Sequence, residues 1–490
     1  MHKVFNQAGL IVCLFLCAHN GVFAVDHQWK FDPVTSQAYG LVLNLQFDKA
    51  HELVPQPLTA QENYVAALAE ALELLLEEDG EKYTEYQERF EKRKERKTRV
   101  NSPDDLFLQA EIAVQWAFIY FKFGHEFDAA LNLRDAYIIT TELEKRFPRY
   151  AATNKTSALL EIIVGAVPEK YNWVLSLLNI EGSIEEGLQL YERIGKSDSP
   201  FKLEAAMLKA LIQSYVLQKP IEGLHALDTI LAETPTNPLA LFLGASLAIK
   251  NSESQKALNM LNILEAQPTG FRIDYVPYLK GEVFLFKAEY LNSISSYRAF
   301  INQYKGQNNI KDAYYKIGIC YWLNGNMSDA LAMFKLGKTM GREVTEGDKY
   351  AARSMSDAEL PHPQLTKARY FTDGGYYDQA RAILDSIVPP DLPTKRDQVE
   401  FYYRKARLDH KTNRLTPSRH FYQQVIDLNG QSPWYFAPNA CLQMGYILLQ
   451  TGDSTRAGDF FEMALSYKKH EYKNSIDTKA RSALAQLKRR

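Results

Sequence analysis

The stretch YYKIGICYWLNGNMSDALAMFKLG runs from Tyr314 to Gly337, and its reading decides the fold. It holds a cysteine, three glycines, a tryptophan and two methionines inside apolar spacing that fits helix. Either Cys320 and its aromatic neighbours form a reactive site, or these residues are what a tight pair of helices requires. With Lys311 as position 1, large residues stand at 4 (Tyr314), 7 (Ile317), 11 (Tyr321) and 24 (Phe334), and small ones at 8 (Gly318) and 20 (Ala330). Small residues at 8 and 20 let two helix backbones approach where they cross, and the large ones fill the space beside that crossing. Gly325, at 15, suits the left-handed turn between the helices. On this reading Cys320 is a packing residue.

The pattern returns along the chain, as internal repeats do. Cys441, Met444, Gly445, Leu448, Gly452, Ala457 and Phe461 take the same positions, and so do Ala368, Phe371, Gly375, Ala380 and Leu384. Weaker copies centre on Gly244 with Ala257, one residue out of register, on Gly281 with Tyr297, and on Ala406 with Ser418 and Tyr422. Gly223 and Ala50 take small positions in two degenerate hairpins. Residues at these positions resemble the tetratricopeptide repeat, which implies an all-α superhelix of antiparallel helix pairs. No segment shows strand-like alternation.

The expected layout is an export signal over 1–24, a helical region with degenerate repeats over 25–200, an array over 201–340, a connecting segment over 341–363 and further repeats over 364–490. The connecting segment reads as a loop or one extra helical turn. Between Gly165 and Gly195, Pro168, Leu175, Leu177, Leu178, Gly182, Gly187 and Leu188 make the chain similar to the tetratricopeptide repeat protein 39 group and its fungal relative, the inclusion body clearance protein. That resemblance implies no catalytic residues, and the group lacks the export signal seen here.

Lys3, the apolar run from Ala8 to Ala18 and the small-residue motif from Val22 to Ala24 read as a cleavable signal, with the mature chain starting at Val25. The destination would be periplasmic or extracellular. Cleavage would leave Cys320 and Cys441, too few for a disulfide scaffold and expected as buried thiols. The 490 residues carry a formal net charge of −2, so no whole-chain field favours nucleic acid, and no nucleic-acid partner is expected. The basic run from Arg89 to Arg99 reads as a solvated helix face.

Phosphate-loop, dinucleotide, zinc-protease, nucleophile-elbow and paired-cysteine motifs are all missing from the sequence. No catalytic residue, metal site or cofactor is expected. Stacked helix pairs instead present a concave surface. Positions 2, 5, 9 and 12 of each first helix are expected to face it, which selects Tyr278, Tyr315, Ile319, Trp322, Tyr403, Arg407, His410 and Tyr446. Tyr, Trp and Arg are common interface anchors. The expected function is that of an exported scaffold binding a protein or peptide in its groove. Two alternatives stay open: a hydrolase or carbohydrate-handling protein with a site in the N-terminal helices, and an outer-membrane or cell-surface assembly factor associated with a membrane complex.

Overall fold

The computed structural model describes residues 28–95, 102–167, 180–356 and 360–488. The expected export segment lies outside them, as do Pro168, Leu175, Leu177 and Leu178. The described residues form α-helices joined by short turns, with no strand among them.

In chain order the helices are α1 (Pro33–Leu43), α2 (Phe47–Leu53), α3 (Ala60–Glu77), α4 (Gly80–Glu95), α5 (Pro103–Phe123), α6 (Glu126–Arg146), α7 (Thr153–Gly165), α8 (Ile184–Lys196), α9 (Lys202–Leu211) and α10 (Pro220–Glu233). The first array follows with α11 (Pro238–Lys250), α12 (Ser254–Glu265), α13 (Val276–Phe286), α14 (Tyr290–Gln303), α15 (Ile310–Leu323) and α16 (Met327–Thr339). A single helix α17 (Glu346–Ser356) precedes α18 (Pro363–Gly374), α19 (Tyr377–Asp385), α20 (Lys395–Lys411), α21 (Leu415–Asn429), α22 (Phe436–Gln450), α23 (Ser454–Ser466) and α24 (Lys473–Lys488). Local signals set the starts. Proline opens α1, α5, α10, α11 and α18, where its missing N–H costs nothing, and Thr59 and Glu62 form a capping box at α3.

One local device recurs in nine hairpins. A residue of positive φ stands five places before a small residue that opens the second helix: Leu45 and Ala50, Gly124 and Ala129, Gln218 and Gly223, Ser252 and Ala257, Ala288 and Ser293, Gly325 and Ala330, Gly375 and Ala380, Asn413 and Ser418, Gly452 and Ala457. The device agrees with the hairpin read at Ala50 (α1–α2) and adds a further one in the N-terminal region at α5–α6. The same device corrects the register near Gly244. Ser252 marks the turn at φ +65, so Ala245, fully buried, occupies position 8 and Ala257 lies twelve residues on, as in the other repeats.

The crossing works as the small residues require. A Cβ on Gly318 would meet the ring of Phe334, one on Gly445 the ring of Phe461, and one on Gly281 the Tyr297 ring at 2.7 Å. Position 8 is therefore small because the position-24 aromatic of the same repeat fills its place. Where position 20 is serine, its hydroxyl donates to the carbonyl of position 8: Ser293 to Gly281 and Ser418 to Ala406, both at 2.9 Å.

The connecting segment contains more than a helical turn. Helix α17 packs on α15 because Asp348, fully buried, accepts from the backbone N–H of Asn309 (2.7 Å) and Asp312 (3.0 Å) at the N-terminus of α15. Those donors lack partners within their own helix, so a carboxylate there is doubly favoured. The N-terminal helices also turn back onto the first array. Phe271 N–H donates to the Leu45 carbonyl (2.7 Å), Asn237 caps α11 while donating to the Leu43 carbonyl (3.1 Å), and the Tyr304 hydroxyl donates to Glu78 (2.9 Å).

The basic run corrects another expectation. Arg93 is buried and forks onto Glu70 of α3, joining the two helices, while Arg89 reaches the same carboxylate at 3.1 Å with part of its side chain exposed; Arg96, Lys97 and Arg99 lie outside the described residues.

Candidate functional site

Among the residues expected on the concave surface, position 5 is the clearest correction. Tyr278, Tyr315, Leu365, Tyr403 and Leu442 are all buried. At Tyr278 and Tyr403 the first helix of the following repeat covers that position and bonds the tyrosine hydroxyl, while Tyr315 packs against Tyr350 of α17. Tyr278 donates to Asp312 (2.6 Å), and Asn439 donates to the Tyr403 hydroxyl (2.7 Å), each bond joining position 5 of one repeat to position 2 of the next. Ile319 is also fully buried. Trp322, Arg407, His410 and Tyr446 are half-buried and retain exposed surface.

The inner faces of the two arrays differ in charge. In the first, Lys316 contacts Glu282 (2.5 Å) and Asp312 (2.6 Å) and bonds the Tyr278 hydroxyl (3.1 Å), so each charge has an opposite neighbour. In the C-terminal repeats Arg369 and Arg407 share one carboxylate, Asp373, each at 3.6 Å. Lys411 is pushed below the usual lysine range by burial and then by Arg407, Lys479 likewise, and Lys250 by burial and then by Lys479. His410 is pushed down to about 4 by burial, Arg407 and Lys411. These cations depress one another because the superhelix brings α11, α20 and α24 to one inner surface. The net charge of −2 conceals this local positive field.

Arg369 was missed in the sequence, although a signal was present. It is position 9 when Ala368 is counted as 8, the same place that Arg407 takes in the next repeat.

A second charged cluster lies in the N-terminal region, where Lys155 of α7 meets Glu111 of α5 and Glu204 of α9. All four carboxylate oxygens are engaged. Glu111 takes Thr156 Oγ1 (2.5 Å) and Lys155, while Glu204 takes Lys155 (2.7 Å) on one oxygen and the hydroxyls of Tyr39 (2.9 Å) and Tyr64 (2.7 Å) on the other. Lys155 Nζ also donates to the Tyr64 hydroxyl (2.7 Å). With every donor and acceptor used internally, this cluster clamps five helices together and leaves no open position for a substrate. Cys320 and Cys441 are buried free thiols, and burial pushes both up to about 12, far from the reactive thiolate range. Among the described residues no group of three or more His, Cys, Asp or Glu is placed to hold a metal, and no helix is long and apolar enough to cross a membrane.

Residues 438–471 match the tetratricopeptide repeat family. These residues carry a tetratricopeptide repeat. That match covers α22 and α23, whose turn at Gly452 and crossing of Gly445 with Phe461 are the geometry found in the other hairpins. A solved structure of an IFIT1 monomeric mutant with Gppp-AAAA aligns with 89% of this chain and 95% of that one, at 11% identity and a TM-score of 0.31. No curated protein matches the chain. Stacked repeats of this kind are typical of binding scaffolds.

Proposed function

We propose that the protein is an exported, non-catalytic scaffold that binds an acidic protein or peptide segment along the inner face of its C-terminal repeats. The supporting observation is the convergence of Lys250, Arg369, Arg407, Lys411 and Lys479 on one surface with Asp373 as the carboxylate shared by its two arginines. An extended acidic segment would supply the missing negative charge, and half-buried Tyr446 and Trp322 offer ring surface along the same inner side. Export, to a periplasmic or extracellular destination, is supported by the signal-like first 24 residues.

The test is fluorescence anisotropy of a labelled acidic peptide titrated with the full chain. Binding should weaken steeply with salt and drop at least tenfold in the Arg407→Glu, Lys479→Glu double variant. Equal affinity in the variant with intact helical circular dichroism would sink the reading, and stronger binding of a single-stranded oligonucleotide of equal charge would overturn its protein part. Sequencing the N-terminus of the protein from its native cell should give Val25 as the first residue.

A further inference from the structure

A cavity of about 480 Å³ opens between the first array and the C-terminal repeats, walled by α15, α17, α18, α20 and the turns before α22 and α24. Its volume falls in the range of small-molecule pockets, about 300–1,000 Å³. Its walls combine arginines with tyrosine rings. Two arginines are matched by carboxylates: Arg404 donates to Glu400 through Nε (3.0 Å) and Nη2 (2.6 Å), and Arg396 faces Glu471 at 3.9 Å. Arg369 differs. Its one neighbouring carboxylate among the described residues, Asp373, is 3.6 Å from Nε, and its Nη1 donates to the Tyr350 hydroxyl at 3.1 Å.

The guanidinium of Arg369 lies over the rings of Tyr350 and Tyr370, 5.5 and 5.6 Å from their centroids, with 31% of the side chain exposed. Tyr350 is near-parallel to Tyr472 (25°, centroids 6.0 Å apart), and Tyr435 meets Tyr472 edge-on at 5.2 Å. Arg353 lines the cavity as well, its guanidinium 5.6 Å from the centroid of Tyr472, and Glu343 adds a carboxylate to the wall, so the cavity offers the forks of Arg369 and Arg353 beside a set of aromatic faces. A fork matches a phosphate or carboxylate, and an aromatic wall matches a flat ring.

We infer that this cavity binds a small organic anion, a phosphate or carboxylate attached to a flat ring, with Arg369 taking the anion and Tyr472 packing against the ring. The site adjoins the acidic-segment surface and shares Arg369 with it, but Tyr315, Tyr350, Tyr435 and Tyr472 line the cavity and Lys479 does not, so Lys479 reports on that surface alone. Because its walls come from both arrays, an occupant would bridge them.

Isothermal titration calorimetry of the full chain with phenyl phosphate, benzoate, cyclohexyl phosphate and inorganic phosphate tests this. Phenyl phosphate should bind at least fivefold tighter than cyclohexyl phosphate and tenfold tighter than inorganic phosphate, and benzoate should compete with it. Arg369→Gln should weaken phenyl phosphate at least tenfold, with Arg369→Lys recovering part of the loss. Tyr472→Leu should remove the preference for the aromatic ring and leave inorganic phosphate unchanged. Lys479→Gln, which touches only the acidic-segment surface, should leave every probe unaffected. Absence of binding at millimolar phenyl phosphate, equal affinities for phenyl and cyclohexyl phosphate, or unchanged affinity in a folded Arg369→Gln protein would each overturn the inference. If Arg369→Gln does not fold, the Tyr472→Leu and ring-preference results decide.

Discussion

Most of the chain from Trp29 to Tyr370 shares one large apolar core, with one smaller cluster from Ala113 to Ile212 beside it, whereas the C-terminal repeats are held by three smaller clusters, spanning Leu365–Leu408, Val399–Ile447 and Ala437–Ala483. The C-terminal clusters each join neighbouring helices, as in a simple stack of repeats. In the rest of the molecule the N-terminal helices fold back over the first array and fuse the two. The same helix pair therefore serves two purposes. Buried on both sides it becomes core, and left open on one side it keeps charged residues at its inner face.

The largest break in this comparison is expected at Lys155. Lys155→Met strands two buried carboxylates and should cost about 3–5 kcal/mol, as removal of one partner from a buried ion pair does. Urea unfolding followed through Trp29 and Trp116, both buried in the N-terminal region, should shift to lower urea, and the first array should unfold with it because the core is shared. A shift confined to the N-terminal helices would separate what the structure joins.

Smaller but more local is Gly445→Ala, whose Cβ would press on Phe461; overpacking of this kind costs about 1–3 kcal/mol. Hydrogen exchange should rise only over residues 395–488, whereas Gly318→Ala, facing Phe334, should raise it across 237–370. Equal spread in both variants would mean that the C-terminal clusters are not independent. Ser418→Ala removes one hydroxyl from the Ala406 carbonyl and should cost about 0.5–1.5 kcal/mol, read as a lower midpoint for the C-terminal transition alone.

A last effect concerns pH. His410 is neutral at pH 7 whether folded or unfolded, but below its ordinary value of about 6.5 the unfolded chain takes up a proton that the folded one refuses until about 4. Stability therefore falls as pH drops from 6.5 to 4, and His410→Gln should flatten that part of a melting-temperature profile. An unchanged slope would place His410 in solvent.

Much of the fold was legible because helix crossings constrain single positions. Gly318, Ala330, Gly325 and their counterparts could be read without coordinates, since only small side chains fit a crossing and glycine fits a left-handed turn most easily. Leu45, Gln218, Ser252, Ala288 and Asn413 take the same left-handed turn without being glycine, so those hairpins read only as weak or degenerate copies and the register at Ala245 was placed one residue off. The surface was read less well. Tyr278 and Tyr403 have the residue type of interface anchors, yet a buried tyrosine bonded to the next repeat has the same local sequence as an exposed one.

By itself the sequence determined the repeating helix pair, its turn and its small contacts, together with the packing role of Cys320, because those depend on residues within about thirty positions of one another. Tertiary structure alone decided which inner face stayed open, how Arg369, Arg407 and Lys479 came to share a surface, and where α17 left a cavity lined by Tyr350 and Tyr472. Those outcomes depend on how far each repeat rotates on its neighbour and on the N-terminal helices closing over the first array. Both sum small packing preferences over many residues that no local pattern records.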